Sequence, residues 1–406
     1  MIDIEILNLL NAPSKEERLE NLRQVLKTTQ FPPMVPQYIN NHIHTTYSFS
    51  PYSPTAAVYA ARMEGLCTAG IIDHDSISGA EEFLEAAAII DIPVTIGMEA
   101  RVSMDGTRLE GRRTNNPDQV GCSYMTIQSV PHDKIGRLTE FFAPYRAARD
   151  ERNRKMIAKI NDLLGYSMDY DRDVRNIKMI AKINELLGMN LDYEKDVLPL
   201  SMHHEDGGVT ERHLMYALAI AMVQKVGKGQ AMVDYLASIG MNLNAKQTAQ
   251  MMDTEYPFYE YDLLGMLKGA FVPKIYIDAT DECPKLADVV ALCKEVDATL
   301  CYAYLGDVGD SVTGDKKAQK FEDDYIEDVF ECLKEEGVTA VTYMPTRNTM
   351  AQLEKLRGLC DQYGMFQISG EDINTPRQSF IIRAMENPMF ANLIEATWKL
   401  IEHEKQ

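Results

Sequence analysis

The sequence predicts an α/β fold in which short buried strands alternate with helices. One apolar run ends near residue 43, and two others cover residues 68–72 and 92–98, with helical patterns between them. Each run ends in side chains of the types that bind metal ions. Parallel α/β folds place their active sites at the carboxyl ends of the strands, so we expect these side chains to meet at one edge of the sheet.

The first strand ends in two histidines separated by one residue, His42 and His44. Side chains at positions i and i+2 of a strand lie on the same face, so both imidazoles are expected to point at one place. Considered alone, a His-x-His pattern on a strand is more often structural or coincidental than a metal site. The residues at the ends of the next two strands therefore decide between these interpretations.

A helix is predicted between the first and second strands. Ser53 followed by Pro54 is typical of a helix start, with the serine as N-cap and the proline at the first helical position. Alanine and valine residues then form an apolar face, and Gly65 is typical of a helix end. A second helix, over residues 78–90, is predicted to lead to the third strand.

The second and third strands end in further candidate ligands. Asp73 and His74 follow the second strand, and Glu99 follows the third. Taken singly, the aspartate and histidine could belong to a helix-capping turn, and the glutamate could be an ordinary carboxylate after a strand. Their common position at successive strand ends instead favours a mixed imidazole and carboxylate metal site.

The segment between residues 40 and 100 resembles the polymerase-and-histidinol-phosphatase (PHP) domain family, and in particular its metal-dependent phosphoesterase branch. The resemblance rests on His42-Ile43-His44-Thr45, Ser53-Pro54, Ala60, Gly65-Leu66, Ile72-Asp73-His74-Asp75, Gly79 and Ile96-Gly97-Met98-Glu99. It implies a distorted seven-stranded β/α barrel with two or three divalent metal ions at its C-terminal rim. It also implies hydrolysis of phosphate esters. For this chain we expect one to three ions of Zn, Mn or Fe.

The resemblance also implies a set of metal ligands. In this sequence the family's ligand positions are matched by His42, His44, Asp73, His74 and Glu99. Near the end of the chain, Asp372 matches the aspartate of the family's last metal-binding motif.

The sequence departs from the family pattern at three places. Asn374, included among the predicted ligands, occupies a position where a histidine is usual, and Tyr304 stands in place of another ligand histidine. Ser48 is followed by Phe49, where an aspartate is usual. Because the side chains of asparagine and tyrosine bind these metals more weakly than a neutral imidazole, the number of metal ions is left open.

Three further residues are candidates outside this core. His132 follows the next strand-like run, 122–130, and is included among the predicted ligands, although it could equally be a histidine in a surface loop. Arg212 and His213 begin a helix after Thr210, and a helix N-terminus with an arginine suits a phosphate group. A solvated helix start is the alternative. The predicted catalytic residues are Asp73, His74, Arg212 and His213.

These features predict a metal-dependent phosphoesterase acting on a small phosphorylated metabolite or nucleotide. One alternative is a non-catalytic domain that kept the fold and binds metal or phosphate. Another is a metal-dependent hydrolase of a C–O or C–N bond in a substrate without phosphate. Turnover of phosphomonoesters would favour the first interpretation, and turnover of lactones or amides without it would favour the last.

Composition limits the partners and the compartment. The 406-residue chain has a net charge of −20, which argues against a nucleic-acid polymer as partner because such surfaces need stripes of lysine and arginine. Seven cysteines without a Cys-x-x-Cys pattern are typical of free thiols in a reducing compartment. The sequence shows no signal peptide and no membrane-length apolar run, so a cytoplasmic protein is expected.

The predicted organisation places a barrel between two helical ends. Within it, a helical insertion contains a tandem duplication, which could belong to a cap over the site, to a dimer contact in a homo-oligomer, or to a tolerated extension without function. The predicted boundaries are a helical preface at 1–37, a barrel at 38–385, a helical insertion at 150–275, repeat units at 152–174 and 175–197, and a C-terminal helix at 386–406.

Overall fold

The chain divides into two compact units, which a computed structural model describes over residues 2–165, 190–308 and 319–405. The first unit comprises residues 1–147, 204–208 and 279–406, and the second comprises residues 148–203 and 209–278. The sequence placed the helical insertion at 150–275.

The first unit begins with two helices and three parallel strands. Ser53 caps the third helix, because its hydroxyl accepts a hydrogen bond from the Ala56 amide at 3.1 Å, and Pro54 is the first helical residue. That helix ends at Met63, and Gly65 beyond it adopts a φ of +83°. The elements are α1 (Ile4–Leu10), α2 (Lys15–Leu26), β1 (Val35–Ile43), α3 (Pro54–Met63), β2 (Leu66–His74), α4 (Ala80–Ile90) and β3 (Val94–Ser103).

The fourth strand, β4 (Cys122–Gln128), runs antiparallel to its neighbours in the sheet. Glu99 in the middle of β3 pairs with Thr126, and Gly97, nearer the start of β3, pairs with Gln128. The carboxyl end of β4 therefore lies at the opposite rim of the sheet from the carboxyl ends of β1, β2 and β3. A long helix, α5 (Ile135–Gly165), follows it.

The second unit is helical. It contains the C-terminal part of α5, and its remaining helices are α6 (Glu211–Val226), α7 (Gln230–Ser238), α8 (Ala245–Met252) and α9 (Tyr259–Ile275). Helix α6 packs against α9 through buried leucines, and the rings of Tyr216 and Tyr261 lie 4.8 Å apart. Apolar contacts between helices therefore form the core of this unit.

The first unit then resumes with three strands, of which β6 is parallel to both of its neighbours. The elements are α10 (Leu286–Val296), β5 (Thr299–Ala303), α11 (Ile326–Glu336), β6 (Ala340–Tyr343), α12 (Met350–Tyr363), β7 (Phe366–Ser369) and α13 (Ala391–His403). These elements continue the alternation of strand and helix that the sequence predicted.

The seven strands form one sheet in the order β1 to β7, and the sheet is nearly closed into a barrel. A parallel bridge between Ile43 at the end of β1 and Ile373, just after β7, joins the two edges. The α/β fold with a distorted seven-stranded barrel is confirmed. Closure of this kind brings the exit of β7 next to the exit of β1, where the candidate ligands lie.

Two other expectations concern the helical insertion and the thiols. In the first repeat unit, Met156, Ile157 and Ile160 are buried on one helical face, while residues 166–189, which include most of the remainder of the duplication, lie outside the described residues. All seven cysteines are free and buried. Within the described ranges, no helix is long and apolar enough to cross a membrane.

Candidate metal centre

The carboxyl end of β1 presents two imidazoles at the barrel rim. His42 and His44 flank the fully buried Ile43, and both histidines are themselves buried. Their ring centroids lie 5.0 Å apart. The strand period of two residues accounts for this placement, because it sends both rings to one face.

The register between β2 and β3 brings the next two candidates together. His74 is the direct neighbour of Glu99 in the sheet, and its Nδ1 atom lies 3.1 Å from the glutamate Oε2. The same oxygen lies 3.6 Å from His42 Nε2. Glu99 therefore faces imidazoles from two strands.

The exit of β7 contributes a second carboxylate. The His44 amide donates a hydrogen bond to the Ile373 carbonyl at 3.0 Å, and the Ile373 amide donates to the His42 carbonyl at 3.1 Å. This pairing places Asp372 Oδ1 3.1 Å from His44 Nε2. Gly370 allows the close approach, since a Cβ atom at that position would lie 2.5 Å from the Cβ of His42.

Asp73 supports this rim from behind. Its carboxylate accepts hydrogen bonds from the Thr45 amide at 2.7 Å, from the Thr45 hydroxyl at 2.6 Å and from the Ser48 hydroxyl at 2.6 Å. The side chain is buried, and it belongs to neither group of potential ligands within the described residues. The structure thus gives Asp73 a supporting position instead of the predicted ligand position, because its oxygens are committed to the turn after β1.

Ser48 connects Asp73 to His44. Its oxygen lies 3.1 Å from His44 Nδ1. Because the Ser48 hydroxyl hydrogen is donated to Asp73, the serine oxygen is left to accept a hydrogen bond from a protonated Nδ1. This assignment leaves a lone pair on His44 Nε2, which is the form that binds a metal.

The geometry at the centre fits a divalent cation. The lone pair of His44 Nε2 faces a carboxylate oxygen of Asp372, and two acceptors at 3.1 Å need a positive charge or a proton between them. The Nε2 atoms of His42 and His44 are buried and form no hydrogen bond to any described residue. Mixed imidazole and carboxylate donors suit Zn²⁺, Mn²⁺ or Fe²⁺.

Two overlapping groups of potential ligands share His44. Each combines one carboxylate with two imidazoles, and the potential ligand atoms of each group lie within 4.8 Å of one another. The groups, found among the described residues, are His42, His44 and Asp372, and His44, His74 and Glu99.

The local electrostatics also favour a cation. Burial lowers the pKa of His42, but the charges of Glu99, Asp372 and Glu371 outweigh that effect, so the pKa is raised overall. The surrounding carboxylates therefore stabilise positive charge at this position.

The replacements for family histidines have other partners. The Asn374 amide nitrogen donates a hydrogen bond to Asp372 Oδ1 at 2.5 Å, so it orients a potential ligand. The Tyr304 hydroxyl donates to Asp323 Oδ1 at 2.6 Å. Neither residue belongs to the two groups of potential ligands found in the described chain.

His132 lies at the other rim of the barrel. Because β4 is antiparallel to β3, the residues after its carboxyl end are directed away from the end that contains Glu99. The Nε2 atom of His132 lies 3.8 Å from the buried carboxylate of Glu404 in the C-terminal segment. The expectation that His132 is a ligand assumed a parallel strand and is corrected by this topology.

Arg212 and His213 belong to the second unit. The His213 side chain is 1% exposed, and its Nδ1 accepts a hydrogen bond from the Thr210 amide at 3.0 Å, which caps α6. Burial, together with the positive charge of Arg149, lowers the pKa of His213 to about 3. His213 is therefore neutral at pH 7, and the substrate-binding roles of Arg212 and His213 remain predictions.

Sequence reasoning missed Arg347, which follows β6 at the rim that contains Asp372. A signal was available, since a charged residue just after a strand is the pattern that identified Asp73, His74 and Glu99. The supporting role of Ser48 was also missed, since it depends on how the turn after β1 folds back.

Residues 40–216 match the family model of the PHP domain. This part of the chain is similar to the PHP domain. It is also 32% identical over 119 residues to the error-prone DNA polymerases of Mycobacterium bovis and Mycobacterium tuberculosis. The match covers 29% of this chain but only 10% of each polymerase, so the chain spans a small part of those relatives.

Two solved structures share the fold over most of the chain. A protein from Bifidobacterium adolescentis, proposed to be a metal-dependent phosphoesterase, is 18% identical with a TM-score of 0.50, over 89% of this chain and 98% of that one. An amidohydrolase from Chromobacterium violaceum, solved with bound sulfate and no metal, is 15% identical with a TM-score of 0.54, over 88% and 96%. At these identities the comparisons show a shared fold over most of the chain.

Proposed function

We propose that this PHP domain hydrolyses the phosphate ester of a small metabolite or nucleotide with the help of one or more divalent metal ions. The observation that supports it best is the convergence of His44 Nε2 and Asp372 Oδ1, two acceptors 3.1 Å apart, beside Glu99. The family match and the two ligand groups support the broader class, a metal-dependent hydrolase.

The residues around the centre have different roles in binding a metal ion. A divalent metal ion bound there would supply activation of water and neutralisation of the charge on phosphoryl oxygens. Ser48 keeps the Nε2 lone pair of His44 available, and Asn374 fixes the orientation of Asp372. Glu99 provides negative charge between His42 and His74.

The exposure of the ligands indicates where a substrate would approach. The Asp372 side chain is 42% exposed and that of His74 is 23% exposed, whereas those of His44 and Glu99 are at most 9% exposed. Water and substrate would therefore reach the centre from the side of Asp372 and His74. The buried histidines would remain shielded from bulk solvent.

The charge balance favours a small anionic substrate. The chain has a net charge of −20, so a long polyanion would be repelled by most of the surface. A single phosphate group meets a different local field, because bound metal ions reverse the negative charge of the carboxylates. This difference supports a phosphorylated metabolite or nucleotide over a nucleic acid.

The test is metal content by elemental analysis, combined with hydrolysis assays on the same preparation after addition of Mn²⁺ or Zn²⁺. We expect at least one metal ion per chain and phosphate release from 4-nitrophenyl phosphate or a nucleotide. Turnover of a lactone or an amide without phosphate release would replace the phosphoesterase proposal with the other hydrolase class. Bound metal without any turnover would instead indicate a binding domain.

A further inference from the structure

Arg347 lies in the loop after β6, at the rim where Asp372 follows β7. The neighbouring Thr346 amide donates a hydrogen bond to Glu371 Oε1 at 2.9 Å, which ties this loop to the residue before Asp372. The arginine side chain is half-buried. A guanidinium is thus held next to the more exposed side of the candidate metal centre.

The guanidinium is fixed from behind through a single nitrogen. Arg347 Nε donates to the Leu305 carbonyl at 3.1 Å, and Asn348 Nδ2 donates to the same oxygen at 2.8 Å. The acceptor loop is itself fixed, because Glu322 Oε1 accepts hydrogen bonds from the amides of Leu305 and Gly306. Among the described residues, no group accepts a hydrogen bond from the two terminal nitrogens, whose planar arrangement matches two oxygens of a phosphate.

The nearby carboxylates do not pair with the Arg347 guanidinium. Among the described residues, no carboxylate forms an ion pair with Arg347. Burial lowers the pKa of its guanidinium, and the negative charges of Glu322, Glu371 and Asp372 oppose that effect. Glu371 uses Oε1 to accept the hydrogen bond from the Thr346 amide.

We infer that Arg347 binds the phosphate group of the substrate, with its two terminal nitrogens on two phosphoryl oxygens. The inference rests on the proposed function, and it names the chemical class that the site selects, a phosphate monoester with a doubly charged terminal group. Approach from the side of Asp372 would bring that group to the guanidinium and to the metal ligands together. Arg347 is thereby a specificity-determining residue for the proposed reaction.

The experiment measures binding of inorganic phosphate to the metal-loaded full chain by calorimetry, alongside metal content. Arg347→Ala should weaken phosphate binding by about tenfold to 100-fold, as expected for hydrogen bonds to a charged group. Arg347→Lys keeps the charge but loses the planar pair of donors, so it should recover only part of the affinity. Metal content should stay at the level of the unmodified chain in both variants.

The matched control is Arg383→Ala, which removes an exposed arginine that pairs with Glu386 at 3.0 Å. It should bind phosphate like the unmodified chain. Phosphate affinity that is unchanged in both Arg347 variants, or absent from the unmodified chain, would overturn the inference. Failure of the proposed function is a different result: the unmodified chain would bind phosphate through Arg347 but would release none from esters.

Discussion

The two sides of the barrel rim use their polar side chains differently. On the side formed by β1, β2 and β3, His42, His44, His74 and Glu99 converge on one centre, and the Nε2 atoms of His42 and His44 form no hydrogen bond to any described residue. On the side formed by β5 and β6, the Tyr304 hydroxyl donates a hydrogen bond to Asp323, and Arg347 donates one to a backbone carbonyl. Asp372, which follows β7, faces His44 of the first side.

The two sides of the rim position their side chains in different ways. Ligands that arrive on adjacent parallel strands are positioned by sheet register alone, as the pairing of His74 with Glu99 shows. Residues in the longer loops after β5 and β6 are positioned by hydrogen bonds within and between those loops. The first side is therefore suited to holding metal, and the second side is suited to contacting the substrate.

The largest effect is expected when a ligand is removed from the first side. Glu99→Ala should lose bound metal and lower hydrolysis by at least about 10³-fold, because a metal contributes several kcal/mol of transition-state stabilisation. Metal content and phosphate release would be measured together. Glu85→Ala, which removes an exposed carboxylate paired with Lys15, is the control and should change neither quantity. Full metal content in Glu99→Ala would refute the assignment of this side.

The second side contains a buried carboxylate that should make the stability of the fold depend on pH. Glu322 is fully buried, and burial raises its pKa from 4.5 to about 7, although hydrogen bonds from Leu305 and Gly306 oppose the shift. Its contribution to stability is therefore present below pH 4.5 and is lost as the pH rises through 7. Glu322→Gln should gain up to ~3 kcal/mol relative to the unmodified chain between pH 4.5 and pH 8.

Chemical denaturation of both proteins at the two pH values would measure this gain. The glutamine keeps an oxygen that can accept from the two amides, so the substitution mainly removes the buried charge. An equal difference in stability at both pH values would contradict a raised pKa for Glu322. It would also argue against a charged Glu322 that fixes the loop after β5 without a cationic partner.

Local patterns in the sequence were sufficient for the first side and insufficient for the second. Strand period and chain adjacency are local properties, and they predicted the strand ends that contain His42, His44, His74 and Glu99. The direction of β4 depends on pairing with two neighbours, so the expectation for His132 failed. Arg347 is fixed by a carbonyl 42 residues away along the chain, a contact that no local pattern encodes.

Asp73 is an intermediate case. Its position at the end of β2 was predicted, but its function depends on the turn that brings Thr45 and Ser48 onto its carboxylate. A single sequence cannot distinguish a carboxylate that binds metal from one that orients a ligand, since both follow a strand. Hydrogen-bond geometry makes the distinction.

A smaller effect is expected from the support behind the first side. Ser48→Ala removes the oxygen that holds His44 Nδ1, so metal affinity should fall about 10-fold to 100-fold, the range typical of residues that orient metal ligands. Competition with a chelator would measure it. Ser50→Ala is a matched control, because its hydroxyl lies in the same turn and accepts a hydrogen bond from the Tyr52 amide instead of contacting a potential ligand. Equal affinities for the two variants would remove Ser48 from the site.

The smallest effect on metal is expected where a family histidine has been replaced by tyrosine. The Tyr304 hydroxyl donates to Asp323, so Tyr304→Phe should leave metal affinity within about twofold and cost ~1 kcal/mol of stability, the typical net value of one hydrogen bond. Chelator competition and thermal unfolding would measure the two quantities separately. If Tyr304→Phe lowered metal affinity as much as Ser48→Ala, the hydroxyl would have to reach the metal. The side of β5 would then belong to the metal centre, and the division between the two sides would not hold.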